Sequence, residues 1–296
     1  MNTIVLAFSG GFASSNAVHW LAETRAADVV TLTLDLGQGE DLAALRDRAL
    51  SCGAARVHAC DARDELVREF LLPSLDRPAS DSRPDSLIAE TTAPLIARKL
   101  LEVAHIEGAA IVAHGSSDTS IDAWLRALNP RIGVVAPARE WQMDATQLAN
   151  YARAHRVPPR YPSDPNCRID QHLWGRLVSF GDADVRPKHI CRDVLPPSEA
   201  AHLEIGFEAG VPVSINDVPM APVELVESLA LIAGRHGIGR VECSSNGRTL
   251  VFDAPAAAVL YTARTAIGGP AGTARLCVRG GECVVLDPHT EAVNLA

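Results

Sequence analysis

Seven residues near the N-terminus, Ser9-Gly10-Gly11-Phe12-Ala13-Ser14-Ser15, have the types and spacing to hold phosphates. Paired glycines let a backbone turn sharply and bring its N–H groups against an anion. The hydroxyls of Ser9, Ser14 and Ser15 can donate to the same oxygens, and a helix starting at this point adds partial positive charge. This is not a Walker loop, because no GxxxxGK[ST] occurs in the chain. A Ser-Gly-Gly turn also serves steric needs alone, so its surroundings must decide between the two readings.

The elements around the loop are legible from periodicity. Ile4 to Phe8 is an apolar run that reads as a strand, and Ala17, Val18, Trp20 and Leu21 give the next segment a helical period over Asn16 to Thr24. Val29 to Leu34 predicts a second strand, Leu42 to Ser51 a helix and Arg56 to Ala59 a third strand. Thr91 to Glu107 reads as a long amphipathic helix, followed by strands at Ala109 to His114 and Val134 to Ala136. Strands alternating with helices predict an α/β fold, a parallel sheet with helices on both faces. Ligands of such sheets bind at the carboxyl ends of the strands, where Ser9-Gly10-Gly11, Asp35 and His114-Gly115 all fall.

Composition shifts to Pro, Ser, Asp and Asn across Arg160 to Asn166, predicting domains at 1–162 and 163–296. The second part predicts a hairpin at Val211 to Ser214 and Pro219, with its turn at Ile215-Asn216-Asp217, and a helix from Pro222 to His236 stopped by Gly237. Short strands around Val241, Leu250 to Phe252 and Arg275 to Leu286 make it a smaller α+β domain.

Apolar residues form 47% and charged residues 21% of 296, the profile of a folded globular chain. A net charge of −9 and the lack of a basic stripe exclude a general nucleic-acid binder. No apolar run approaches a membrane span, and no signal segment opens the chain, so the expected location is cytoplasmic. Seven cysteines form no CxxC pair and read as free thiols, most of them buried. No metal-ligand spacing is present among them.

The loop resembles the SGGxDxS signature of the ATP-pyrophosphatase (PP-loop) superfamily. Within it the sequence is similar to the argininosuccinate synthase family over nearly its whole length, through Val5 to Gly11, Leu34 to Glu40, Pro94 to Leu100, Val112 to Gly115, Ala136 to Trp141, Ile169 to Arg176, Ile205 to Val213 and His236 to Arg240. That family joins citrulline to aspartate: the ureido oxygen attacks the α-phosphate of ATP, pyrophosphate leaves, and the aspartate amine displaces AMP. The resemblance implies ATP and Mg2+ as cofactors, small-molecule substrates, and a nucleotide-binding domain followed by a synthetase domain. It implies a nucleotide site at Ala7, Phe8, Ser9, Gly10, Gly11, Ser14, Ser15, Leu34, Asp35, Gln38, His114 and Gly115. It implies a substrate site at Asp85, Ala89, Ser116, Ser117, Asp122 and Arg168.

Departures from the family pattern gather at these positions. Ala13 stands where the loop has an acidic residue, and Asp85, Ala89 and Ala93 where it has a tyrosine, a threonine and an arginine. Arg168 and Leu177 replace serines, and a glutamate position falls near Ser245. Substrates whose polar groups lose their partners forfeit about 1–3 kcal/mol each, so the expectation is a ligase acting on substrates other than citrulline and aspartate. The chain is also shorter than the family, without its C-terminal tetramer helix, so the expected homo-oligomer extends to a dimer as well as a tetramer.

Several residues carry two readings at this point. Asp35 and Gln38 either touch the adenosine or cap a helix. His114 is either an acid–base group or a hydrogen-bonded structural histidine. Asp122 either serves the amine and magnesium side of the pocket or is a solvated helix-start carboxylate. Arg168 either binds a carboxylate or phosphate bidentately or lies on the surface. Cys167 beside it is either a thiol nucleophile, which would make the reaction a sulfur transfer, or an inert thiol. Trp141, Trp174 and Arg139 read as structural. A retained loop in a catalytically inactive nucleotide-binding paralogue is the third reading.

Overall fold

A computed structural model of the chain describes residues 2–76, 84–116, 119–158, 167–181, 197–245 and 247–286. The side chains of residues 84–90, 145, 167–168 and 245 lie outside that description. So do Ser117, Cys191 and the composition shift at 160–166. In chain order the elements begin β1 (Asn2–Ala7), α1 (Phe12–Arg25), β2 (Ala27–Asp35), α2 (Leu42–Ser51) and β3 (Arg56–Asp61). Two short helices, α3 (Arg63–Leu66) and α4 (Leu72–Ser74), flank a π-helical turn at Val67–Leu71. Then come α5 (Pro84–Ile106), β4 (Ile111–Ala113), α6 (Ser120–Leu128), β5 (Gly133–Val135), α7 (Pro137–Glu140) and α8 (Ala145–Ala154). The remainder holds β6 (Cys167–His172), β7 (Gly175–Gly181), β8 (Ala201–Glu208), β9 (Val211–Ile215), β10 (Val218–Pro219), α9 (Pro222–Arg235), β11 (Arg240–Ser245), β12 (Arg248–Asp253), α10 (Pro255–Ile267), β13 (Gly272–Arg279) and β14 (Glu282–Val285).

These elements form two compact units, Met1–Ala62 with Ala89–Pro165, and Arg63–Ile88 with Asn166–Ala296. The first is a five-stranded parallel sheet in the order β3-β2-β1-β4-β5. Side chains of successive strand residues point to opposite faces, and both faces of this sheet are apolar. Ile4, Leu6 and Val29 pack with Ala17, Val18 and Leu21 of α1, Ala49 of α2 and Ala152 of α8. Val5, Val30 and Leu32 pack with Ala97 and Leu100 of α5 and with Ile121 and Leu125 of α6. Burial on both faces explains the near-continuous apolar strands. The chain leaves β1 toward β2 on one side, while β4 and β5 lie on the other. The order therefore reverses between β1 and β4, and their carboxyl ends open a crevice there.

The second unit contains two antiparallel sheets, β10-β9-β8-β13-β14 and β11-β12-β7-β6, with helices α9 and α10. The β9–β10 hairpin turns through Asn216 (φ 49) and Asp217 (φ 61), the left-handed pair that a tight two-residue turn requires. At Gly175 a Cβ would stand 2.7 Å from the Asp253 carbonyl, so β7 and β12 meet only because that position lacks a side chain. The segment Arg63–Ile88 belongs to this unit. Tyr261 Oη donates to the Ser74 carbonyl at 2.8 Å, and Arg264 pairs with Asp76 at 2.8 Å.

Among the described cysteines, Cys52 alone is buried. The expectation that most thiols are packed inside is corrected: Cys60, Cys243 and Cys283 sit on the edge strands β3, β11 and β14, where one side of the backbone faces solvent.

Candidate functional site

The phosphate loop joins the end of β1 to the start of α1. Gly10 adopts φ 66, a left-handed conformation that costs an L side chain roughly 1–2 kcal/mol. Gly11 is the N-cap of α1, and a Cβ there would press on Ser9 Oγ at 3.2 Å. The loop's own polar groups hold its inner side. Ser14 Oγ donates to the Gly11 carbonyl at 3.1 Å, Ser15 Oγ to the Gly10 carbonyl at 3.4 Å, and the Ser9 and Ser14 hydroxyls lie 3.3 Å apart.

Arg48 of α2 completes that inner side. Its Nε donates to the Gly10 carbonyl at 2.8 Å and to Ser15 Oγ at 3.1 Å, and an Nη donates to the Pro158 carbonyl at 2.9 Å. With the carbonyls so engaged, the donors left for a ligand are the first-turn N–H groups of α1, which have no acceptor within a helix. No acidic residue occupies that first turn, since Ala13 stands there, so the partial positive charge of the helix start is not offset. Beneath the loop, Cys52 has its thiol pushed up by burial, which outweighs the Ser15 hydrogen bond and the nearby Arg48 charge. Arg48 escaped the sequence reading because its contacts span 33 to 110 residues and leave no local pattern.

Neighbouring strand exits fix the rest of the crevice. The Phe8 N–H donates to the Leu32 carbonyl at 2.8 Å, and Thr33 Oγ1 donates to the Phe8 carbonyl at 3.0 Å, extending β1 beyond Ala7. At the end of β2, Asp35 Oδ1 accepts from the Gly37 N–H at 2.8 Å. Gln38 accepts from the Leu36 N–H at 2.6 Å and donates to the Leu34 carbonyl at 2.7 Å. These bonds shape the turn itself. Helix α2 is capped by Asp41, so the capping reading of Asp35 and Gln38 is corrected.

Across the switch point, His114 follows β4 and is fully buried, with Gly115 exposed and Ser116 half-buried after it. The Ser116 N–H donates to His114 Nδ1 at 3.3 Å, which assigns the ring proton to Nε2 and lets it donate to Asp122 Oδ2 at 3.0 Å. Arg139 of α7 donates to both Asp122 oxygens at 2.8 Å. Burial alone would raise the Asp122 carboxyl, but Arg139 and His114 outweigh it and hold the group below its ordinary value. Asp122 is 4% exposed. The solvated helix-start reading is therefore corrected, and Arg139 is the structural ion pair expected of it. Buried His114 and Asp122 form one network beside the crevice with the partly exposed Arg139.

The remaining candidates come less far. Asp85 and Ala89 lie in α5 with side chains outside the described residues, and Ser117 lies outside them altogether. Arg168 and Cys167 open β6, opposite Ser179 and Phe180 of β7; their side chains are likewise outside the description. The structure thus brings together Ala7 to Ser15, Leu34 to Gln38, and His114 with Asp122, all in one unit. It does not place the other four candidate side chains and Ser117 with them.

Two family models match the sequence. The arginosuccinate synthase N-terminal HUP domain covers residues 3–158, and the arginosuccinate synthase C-terminal domain covers residues 169–270. An argininosuccinate synthase from Symbiobacterium thermophilum is 38% identical over 284 residues, spanning 88% of this chain and 69% of that protein. The chain belongs to the argininosuccinate synthase family. A Bacillus cereus argininosuccinate synthase is 36% identical over the same shares of the two chains. A solved structure titled as a predicted subunit of tRNA methyltransferase from Methanocaldococcus jannaschii is 16% identical, covers 52% of this chain and 76% of that one, and aligns with a TM-score of 0.37. That likeness is too loose to carry an argument. Membership gives the protein's kind, an ATP-dependent ligase of the argininosuccinate synthase family, with the phosphate loop, Asp35, His114 and Asp122 all inside the N-terminal match. Cys167 and Arg168 fall between the two matched ranges.

Proposed function

We propose that this synthase-family ligase adenylates a carbonyl or ureido-like oxygen and couples that carbon to an amine, on substrates other than citrulline and aspartate. The oxygen attacks the α-phosphorus of ATP and the bond to the β-phosphate breaks, releasing pyrophosphate. The amine nitrogen then attacks the activated carbon and loses a proton, and the C–O bond to AMP breaks. The observation that carries the ATP step is the phosphate loop, where α1 presents its N–H donors while Arg48 and the serine hydroxyls occupy the carbonyls behind. A helix start without an acid is an anion site.

The change of substrate is supported by the sequence. Asp85, Ala89, Ala93, Arg168 and Leu177 stand where the family has residues of other chemistry. A site built for one polar substrate rejects it strongly once its partners are gone. Arg168 is our candidate for the substrate's anionic end, and Asp122 is a positioning group beside the nucleotide crevice of its own unit. Mg2+ is also part of the proposal; it offsets phosphate charge. Both Asp122 oxygens already accept from Arg139, so the ion would ride on phosphate oxygens and water. A homo-oligomeric, cytoplasmic protein completes the reading, checked by light scattering and fractionation.

The deciding experiment is pyrophosphate release with ATP and Mg2+ across a panel of amines and ureido compounds, with citrulline plus aspartate as reference. Release with another pair and none with the reference supports the reading. Turnover of the reference pair would overturn the change of substrate. ATP binding without release under any pairing would favour an inactive nucleotide-binding protein, the reading that Ala13 supports. Cys167→Ser tests the sulfur-transfer alternative, which predicts complete loss of turnover.

A further inference from the structure

Two turns along α1 from the phosphate loop, His19 and Glu23 occupy positions i and i+4 and therefore share one face of the helix. His155, the C-cap residue of α8, packs its ring against His19 with centroids 4.2 Å apart. One ligand atom from each of the three lies within 4.8 Å of the others. Among the described residues this is the one grouping of three or more His, Cys, Asp or Glu with that closeness. His19 and Glu23 are 35% and 55% exposed, so a hydrated ion can reach them and their side chains have room to adjust. None of the three takes part in the nucleotide reading.

We propose that His19, Glu23 and His155 form a site for a divalent transition-metal ion of the Zn2+ class. Two imidazoles and one carboxylate suit borderline ions, whereas Mg2+ prefers oxygen alone, so the site is distinct from any ion carried by the nucleotide. Three protein ligands leave a position for water. Tyr151 marks where the ion sits: its hydroxyl bridges His19 Nδ1 at 3.0 Å and Glu23 Oε2 at 3.1 Å, drawing together the two groups an ion would bridge. The ion takes that place as the hydroxyl swings aside. Ligand atoms of a tetrahedral ion stand roughly 3.3 Å apart, following from bonds of about 2.0–2.1 Å, so closure requires side-chain movement only. Tyr151, whose hydroxyl donates to Glu23, acts as an outer hydrogen-bond partner of the ligands.

The test is calorimetric titration of the chelator-treated full chain with Zn2+, in parallel with His19→Gln, Glu23→Gln and His155→Gln. One equivalent bound at micromolar concentration, weakened about tenfold or more in each variant, is the expected result. Tyr151→Phe, which removes the competing hydroxyl and leaves every ligand, is expected to bind at least as tightly. Binding of the wild type only above millimolar concentration would overturn the proposal. So would unchanged affinity in a His19→Gln/His155→Gln double variant, which would assign the ion to cysteines. As a second reading that needs no variant to fold, Co2+ bound at this site gives a visible spectrum of nitrogen and oxygen ligation. A thiolate charge-transfer band would overturn the assignment.

Discussion

Arg48 supports the phosphate loop from the side opposite the ligand, and its removal tests that arrangement directly. Arg48→Ala leaves the Gly10 carbonyl and the Ser15 hydroxyl without a charged donor, a loss of about 1.5–3 kcal/mol per bond to a charged group at most. The expected outcome is a lower unfolding midpoint and roughly tenfold weaker ATP binding, read by calorimetry; unchanged affinity would show that the loop keeps its shape alone. Asp122→Asn removes the charge facing Arg139. Arg139 is 29% exposed, so the cost is about 2 kcal/mol, below the 3–5 of a fully buried pair. Because the folded state depresses the Asp122 carboxyl, its contribution is present above the ordinary value of 3.8 and is lost as pH falls through the folded value. Acid unfolding of Asp122→Asn is therefore expected to lack that component. At this scale the sequence was only partly legible. The glycines and serines of the loop announce themselves as neighbours, but Arg48 and the His114–Asp122–Arg139 network are assembled from distant segments.

At the scale of elements, α1 meets α8 through His19, Tyr151 and His155, and this contact is sensitive to acid. Burial, then His155, lowers the proton affinity of His19, with Glu23 opposing. The unfolded chain therefore binds a proton at His19 that the folded one resists. Stability is full above the ordinary value of 6.5 and declines as pH drops from there toward the folded value. A shallow fall in unfolding midpoint below pH 6.5, reduced in His155→Gln, is the expected outcome of a pH series without added metal. Elements with strong period were legible in advance, among them β1, β2, α2, α9 and the β9–β10 hairpin. Helix α10 was missed although Pro255 starts it and Gly268 ends it in a left-handed turn. Its alanine-rich sequence, Pro255 to Ile267, dilutes the apolar period that the eye follows. The π-helical turn at Val67–Leu71 was missed for a different reason: no local preference selects that winding.

For the whole molecule, the division into units departs from a single cut near residue 162, because Arg63–Ile88 groups with the later unit. Composition marks linkers and cannot mark a segment that leaves one unit and joins another. Leu71 is fully buried within that segment. Leu71→Ala is expected to destabilise the second unit by about 2–5 kcal/mol while leaving ATP affinity of the first intact, measured by calorimetric unfolding and by nucleotide titration. A matching loss of ATP affinity would count against the division. The same segment sets a timetable for synthesis. Leu66, Val67, Leu71 and Leu72 emerge from the ribosome long before α9 and α10, the helices of their own unit, have been made. At roughly 5–20 residues per second the wait is on the order of ten seconds. During that interval the growing chain carries an apolar stretch with no partner yet in existence. The burial of that stretch is thus timed by the order in which the ribosome reads the chain.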